Sequence, residues 1–449
     1  MKPEAIYGQF ALSFCYWLLY LFCNMSVAHG SSLGSAIYQD DPTIVSAIAK
    51  LGDNQSIYLP MVKVDGKVFS PKHRDFSNKM PWAADRKTAL YAGGSHQTYR
   101  ANDVWEFHLG SNRWHRLFAA DGGNHAFLKY TLYSGAVKKW RKDLNAKLSQ
   151  KDQDKFTKAK RWWHKNIVLK DGHITTQAGG PIMPSHTWDA FTYDSRTKKL
   201  IWGNGAHPGG SAFYHAMLSG SPLEQVRSQI DSSYTPMWMF DLTRKSWIHY
   251  KTSGPRPTFR GMGATMQYLA DIGQSIWYVA AKNVNPHAFE MWKFDALADE
   301  WAQLKPNGGK SIYTLAVVEG SAPLAEQQVA YDQQSKTLVA VRGSEAFTYK
   351  VDTNTWTKVA TDKRIDAHDA KSVFAFDEKN HLFLLANPKH SVPLAAFSLK
   401  TNQWQPITPD GPAVPNKKHG PPRGYYDPKF NVFVIDDSKG QIWLYRYKK

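Results

Sequence analysis

His186 and His207, about twenty positions apart, are the pair in this chain best suited to proton chemistry. An imidazole titrates near neutrality, so two of them at one rim can act as base and acid. Asp369 and His419 stand eight residues before later turn aspartates as His186 does before Asp194, and Arg260 stands eight before Tyr268, where the turn at Asp271 is longer; a structural repeat calls for small or apolar residues there. Ser77 and Leu324 complete that set. His96, His207, His287, Arg342 and His390 close second strands on the same face, and His125 comes from a basic stretch nearby. A guanidinium at Arg260 can grip a carboxylate with two parallel bonds. These residue types suit proton abstraction beside a carboxylate, which builds negative charge that needs a cation to stabilise it. Imidazoles also suit zinc, copper or manganese, but the chain has no tight His-x-x-x-His spacing. The third option is binding without chemistry, with aromatics such as Trp162 and Trp163 stacking on sugar rings.

What positions these residues is an aromatic phrase that recurs along the chain. It reads Asp103-Val-Trp-Glu-Phe with Trp114, Met237-Trp-Met-Phe-Asp241 with Trp247, and Met291-Trp-Lys-Phe-Asp295 with Trp301. Looser copies lead to Trp356 and Trp404. The last four of these tryptophans are 54, 55 and 48 residues apart, a period that indicates propeller blades. First strands end near Asp85, Asp194, Asp271, Asp332, Asp377 and Asp427, which gives six units. The 133 residues from Trp114 to Trp247 leave room for a seventh. The chain stops on a third strand at Ile442–Tyr447, and Asn54–Leu59 has the pattern of the missing fourth, which would close the ring. A short amphipathic helix is predicted over Asp41–Leu51, with Ile44, Ile48 and Leu51 on one face. The fold class is therefore an all-β propeller of six blades, with seven as the alternative.

The chain has 449 residues and a net charge of +18, which favours a polyanionic partner. Residues 1–30 read as a secretory signal, with an apolar run from Phe10 to Phe22 and a small-x-small site at Ser26-Val-Ala28 or Ala28-His-Gly30. Both cysteines, Cys15 and Cys23, lie within it, so the exported protein would have neither disulfide nor thiolate chemistry. The expected location is secreted or periplasmic, which disfavours nucleic acid. No stable membrane insertion is expected after cleavage, and a monomer is expected. Residues 31–449 form one domain with two insertions. Residues 119–180 carry 13 Lys/Arg against 5 Asp, a net of +8, and Val137, Trp140, Leu144, Leu148, Phe156, Ala159 and Trp163 recur at helical spacing. Residues 204–235 are rich in Gly and Ser. Both belong to loop classes on the face where inner strands begin, the usual functional face of a rigid scaffold.

The Gly93-Gly94 doublet, the aromatic phrase and the later Trp resemble the kelch motif of galactose-oxidase-like propellers. The match is firm in the first three units and looser at Val341-Arg-Gly343, Ala386-Asn387 and Asp436-Asp437. That fold hosts enzymes, sugar isomerases and interaction modules, so function must come from the site. The galactose-oxidase Cys–Tyr crosslink could not form in an exported protein that has lost Cys15 and Cys23. More narrowly, the set resembles propeller-type polysaccharide lyases of the ulvan-lyase kind. That resemblance implies a catalytic set of His186, His207, Tyr250 and Arg260, with Tyr214 or Tyr234 as substitutes for Tyr250. His96, His125, Tyr214, Tyr234, His287, Arg342, Asp369 and His419 are the expected substrate-binding residues. The expected activity is β-elimination on an acidic, uronate-containing polysaccharide with no cofactor, a divalent metal being left open. The alternatives are a non-catalytic kelch module binding carbohydrate or protein, and a sugar isomerase of the sialic-acid-epimerase type.

Overall fold

The computed structural model describes residues 38–449 except 75–76, 95–98, 100, 121–148, 172, 183, 185–186, 204–216, 225–236, 251–253, 258–263, 281–288, 309–326, 368–371, 416–421 and 438. The chain divides into two units, Met1–Gln39 and Asp40–Lys449. The predicted signal and Val137, Trp140, Leu144 and Leu148 lie outside the described residues.

Helix α1 spans Pro42–Lys50, capped by the Asp41 carboxylate on the Thr43 amide and opened by proline at its first position. Strand β1 is Gln55–Tyr58, and a short hairpin of β2 (Lys63–Val64) and β3 (Lys67–Val68) follows. Blade one contains β4 (Trp82–Ala83), β5 (Thr88–Tyr91), β6 (Val104–His108) and β7 (Arg113–Phe118). Helix α2 (Gln150–Asn166) and the hairpin of β8 (Ile167–Lys170) and β9 (His173–Thr176) come next. Blade two is β10 (Phe191–Asp194), β11 (Lys199–Trp202), β12 (Trp238–Asp241) and β13 (Ser246–His249). Blade three is β14 (Thr265–Leu269), β15 (Gln274–Ala280), β16 (Phe289–Asp295) and β17 (Glu300–Leu304). Blade four is β18 (Gln328–Asp332), β19 (Thr337–Arg342), β20 (Glu345–Lys350) and β21 (Thr355–Thr361). Blade five is β22 (Val373–Asp377), β23 (Leu382–Ala386), β24 (Leu394–Ser398) and β25 (Gln403–Pro406). Blade six is β26 (Arg423–Asp427), β27 (Val432–Asp436) and β28 (Ile442–Arg446), with β1 as its fourth strand.

The structure is thus a six-bladed β-propeller closed by its N-terminal strand. The gap from Trp114 to Trp247 holds no further four-stranded sheet among the described residues.

Hydrophobic cores lie between consecutive blades. One of them joins α1 through Ile44, Ile48 and Leu51 to Phe107 and Trp114 of blade one and Val432 and Val434 of blade six. The repeated tryptophans seal these seams, and several also bond across them. Trp114 Nε1 donates to Asp436 Oδ2 of blade six at 3.1 Å, and Trp247 Nε1 to the Asn102 carbonyl at 2.9 Å.

Every inner strand ends in a four-residue turn whose last residue has positive φ: Lys87, Lys198, Gly273, Lys336, His381 and Asn431. The turn aspartates fall into two classes. Asp194, Asp332, Asp377 and Asp427 are the last strand residue and accept amides of their own turn, such as Arg196 N at 2.8 Å and Phe430 N at 3.1 Å. Asp85 and Asp271 lie two residues further on and accept a tyrosine hydroxyl from the next blade, as Asp377 also does from Tyr426. Tyr193 donates to Asp85 at 2.9 Å and Tyr331 to Asp271 at 3.0 Å. Because these hydroxyls clasp neighbouring blades through a charged acceptor, Tyr193→Phe is expected to cost about 1.5–3 kcal/mol in urea unfolding. Asp85→Ala should then add little on top of it.

The outer turns share one pattern, with Asn112, Lys245, Asp299, Asn354 and Asn402 at positive φ in the last turn position. In blade six that turn is cut. Arg446 pairs with Gln55, and Asn54, before it, has φ 54° like its counterparts. The chain end reaches back to the break, with Lys449 N donating to Asp53 Oδ1 at 2.7 Å and Asn54 N to the Tyr447 carbonyl at 3.0 Å.

Candidate functional site

His186, His207, Arg260, His96, His125, Tyr214, Tyr234, His287, Asp369 and His419 lie outside the described residues. Tyr250 and Arg342 are described, and both are embedded. Tyr250 is 2% exposed, in the core between blades two and three, with its ring edge on Phe294 at 5.4 Å. That placement packs the ring. Arg342 is 1% exposed at the end of β19, with Nη2 3.4 Å from Glu345 Oε2 and its guanidinium 5.7 Å from the Phe347 ring centroid. Burial lowers its pKa. His390 is half-buried and caps its own turn, its ring nitrogen facing the Val392 amide at 3.4 Å.

Strand pairing also corrects the count that grouped the rim residues. Blade one ends its inner strand at Ala83, two residues before Asp85, and blade three ends its own at Leu269, one residue past Tyr268 from which the count was taken. Eight positions back from these ends are Asp75 and Gly261 in place of Ser77 and Arg260. Nine back are Arg74 and Arg260, which are therefore equivalent by count.

Just after the rim positions, the inner strands carry a buried polar layer that sequence reading passed over. His186 precedes Asp189 by three residues, and Asp369 precedes Ser372 by the same interval. Lys79 of blade one lies against Asp189 of blade two, Nζ to Oδ2 at 3.2 Å, and donates to the Met266 carbonyl of blade three at 2.8 Å. Asp189 Oδ2 also accepts the Val329 amide of blade four at 3.2 Å. Asn78 Nδ2 donates to the Ser372 carbonyl of blade five at 2.7 Å, and Ser372 Oγ donates to Gln328 Oε1 at 2.8 Å. Tyr278 OH donates to Gln327 Oε1 at 2.8 Å. Three of these bonds join blades that are not neighbours, which places the layer close to the propeller axis. The side chains of Lys79 and Asp189 are 13% and 5% exposed. Burial pushes Asp189 up to about 6 and Lys79 down, in each case against the partner's pull.

Where blade six meets blade one, the Tyr91 ring has the Arg74 guanidinium at 4.7 Å and the Arg423 guanidinium at 4.5 Å. Each cation has its own buried carboxylate. Arg74 Nη2 bonds Asp103 Oδ1 at 2.8 Å, and Arg423 Nη2 bonds Asp436 Oδ2 at 2.7 Å.

The two insertions connect strand ends on the face where inner strands begin, since one leads from β7 into β10 and the other joins β11 to β12. They share a small core of Ala159, Trp163, Ile167 and Ile182 with Met217 and Leu218. Helix α2 matches the predicted helical spacing at Phe156, Ala159 and Trp163, and Ser149 caps it through the Asp152 amide. Its sequence holds six Lys/Arg against two Asp, and Lys151, Arg161 and Lys165 are exposed. No group of three or more His, Cys, Asp or Glu is placed to hold a metal ion among the described residues. No described helix is long and apolar enough to cross a membrane.

No known family model and no curated protein matches this sequence. Among solved structures, an auxiliary nutrient binding protein from Bacteroides thetaiotaomicron VPI-5482 is similar over 88% of this chain and 76% of its own, at 7% identity and a TM-score of 0.44.

Proposed function

We propose that this propeller takes up an acidic, uronate-containing polysaccharide on the face where its inner strands begin, and cleaves it by β-elimination. The observation that carries the reading is α2, whose exposed cations stand on an insertion of that face. A chain with +18 net charge attracts a polyanion at long range, and a row of cations on one helix gives that attraction a place to act. In the reaction, His186 or His207 removes the proton beside the carboxylate and Arg260 neutralises the charge that develops there. The C–O bond to the neighbouring sugar then breaks as the ring double bond forms, and the second histidine protonates the departing oxygen. On this reading the substrate lies across the mouth, above the polar layer of Lys79, Asp189, Asn78 and Ser372. The protein is proposed to act as a secreted or periplasmic monomer.

A second reading, binding without cleavage, draws support from Tyr250, the one described member of the catalytic set, whose ring is packed in the core. Incubation with ulvan, glycosaminoglycans, alginate and pectin separates the two. Lyase action generates a conjugated unsaturated uronate and a rise in ultraviolet absorbance, and His207→Ala should slow that rise by roughly 100-fold or more. Binding with no rise on any of the four selects the second reading. A new reducing end without unsaturation selects hydrolysis or isomerisation.

A further inference from the structure

We propose that the outer edge of blade two docks a short, extended, acidic peptide of another protein, which adds as a further strand beside β13. The proposal stands independently of the glycan reading.

The propeller's own chain shows what such an edge takes. In blades four and six, the segment arriving from the preceding blade runs parallel to the start of the outer strand. Asn307, six residues after Trp301, donates its amide to the Asn354 carbonyl at 2.9 Å and accepts the Trp356 amide at 2.8 Å. Asp410, six residues after Trp404, bonds Asn54 and Ser56 in the same way at 2.7 and 3.1 Å. The matching positions of blade two are Lys245 and Trp247. Lys245 has φ 52°, against 50° for Asn354 and 54° for Asn54. Ala120, six residues after Trp114, makes neither bond, and no other described residue replaces it. The alternation of strand bonds fixes where the unmet amide points. Tyr250 N donates inward to the Met237 carbonyl at 3.2 Å, so the Trp247 amide, three residues earlier, points away from β12.

A groove of about 720 Å³ opens over this edge. Its floor is residues 246–250, one wall is the β8–β9 hairpin at Lys170 and Thr175, and the other is the outer turn of blade three at Leu297 and Asp299. The hairpin wall is anchored. Asn102 accepts Trp247 Nε1 on its carbonyl and donates Nδ2 to Thr176 Oγ1 at 3.3 Å. Gly180 approaches the Trp247 ring so closely that a Cβ would stand 2.9 Å from it. Beside the outer strand of blade one, by contrast, the β2–β3 hairpin reduces the equivalent space to about 30 Å³. At about 3.3 Å per residue, the five floor positions match a peptide of about five residues.

The walls select the side chains of that peptide. Lys170, Lys199 and Arg244 line the groove against Asp171 and Asp299. Lys170 and Lys199 have no ion-pair partner among the described residues, and Arg244, with 78% of its side chain exposed, reaches Asp241 only at 3.9 Å. Leu169, next to Lys170, is 45% exposed and Leu297 is 71% exposed, so apolar residues between the acids also find contacts. Main-chain bonds to the edge would supply affinity, and the walls selectivity.

The test follows the anisotropy of a labelled, end-blocked hexapeptide of alternating Glu and Val on titration with the full chain. Its Lys–Val and N-methylated counterparts and alginate oligosaccharides are run beside it. The Glu–Val peptide should bind and slow hydrogen exchange of the Trp247 amide. The other two peptides should bind about tenfold more weakly or worse, one lacking the charge and the other the donors for the Lys245 carbonyl. Lys170→Glu/Leu297→Ser changes only exposed side chains, so its melting temperature should match wild type while Glu–Val affinity falls about tenfold or more. No binding of the Glu–Val peptide, equal binding of the N-methylated peptide, or wild-type affinity in the double variant overturns the site. Equal binding of the Lys–Val peptide overturns its preference for acids. Displacement of the peptide by alginate, with the Trp247 amide protected by either, overturns the peptide as occupant and assigns the groove to glycan.

Discussion

Asp189→Leu, with Lys79 left in place, is expected to cost about 3–5 kcal/mol, the largest loss from any single substitution considered for this fold. The change strands a buried ammonium at the axis and removes the acceptor of the Val329 amide. Lys79→Met combined with Asp189→Leu should recover most of the loss, because an apolar pair of similar volume has no charge to desolvate. Equilibrium unfolding of the two single variants and the double variant decides it; additive losses would show that the pair acts independently. The pH dependence has a definite sign. The pKa of Asp189 in the folded chain is raised to about 6, above its unfolded value. Its contribution to stability is therefore complete below the unfolded value and is lost as pH rises through about 6. Asp189→Asn should remove that part of the stability–pH curve, and should flatten it between pH 4 and 6 relative to wild type.

Truncation through Leu59 is expected to abolish the monomeric fold outright. It removes the fourth strand of blade six, so β28 is left with an open edge, and it takes Ile44, Ile48 and Leu51 out of the core shared with blade one. It also removes the Leu51 carbonyl that Arg446 bonds and the Asn54 amide oxygen that receives the Tyr445 hydroxyl at 3.0 Å. An unpaired strand edge is a template for association. Size-exclusion chromatography should therefore give aggregate, and circular dichroism should show lost native signal. A monomeric, cooperatively melting truncation would mean that five closed blades suffice.

The blade pattern was legible because alternation and the recurring Trp are consequences of burial on both blade faces, as at Phe107 and Trp114 or Phe397 and Trp404. The closing strand at Gln55–Tyr58 and the helix at Pro42–Lys50 could be read for the same reason. The axial layer could not. A ruler anchored on turn aspartates is true only where the aspartate ends its strand, as Asp194 does. Asp85 lies two residues past its strand and serves the next blade's tyrosine, and that offset hid Lys79 and Arg74. Nor does a sequence show that Arg423 and Arg74 share one ring, since the two are 349 positions apart and meet only when the propeller closes.

The cut outer turn of blade six also places the protein on a clock. The ribosome makes β1 among the first residues of the ring, yet its partner β28 lies 391 positions later, by the pairing of Gln55 with Arg446. At ordinary elongation rates β1 waits roughly 20–80 s before a complementary edge exists. Throughout that interval the nascent chain carries a finished strand with nothing to zip to, and α1 has no blade-six wall to lean on. Handling of the emerging polypeptide thus bears on this propeller most heavily at the seam its own genetic order leaves open until last.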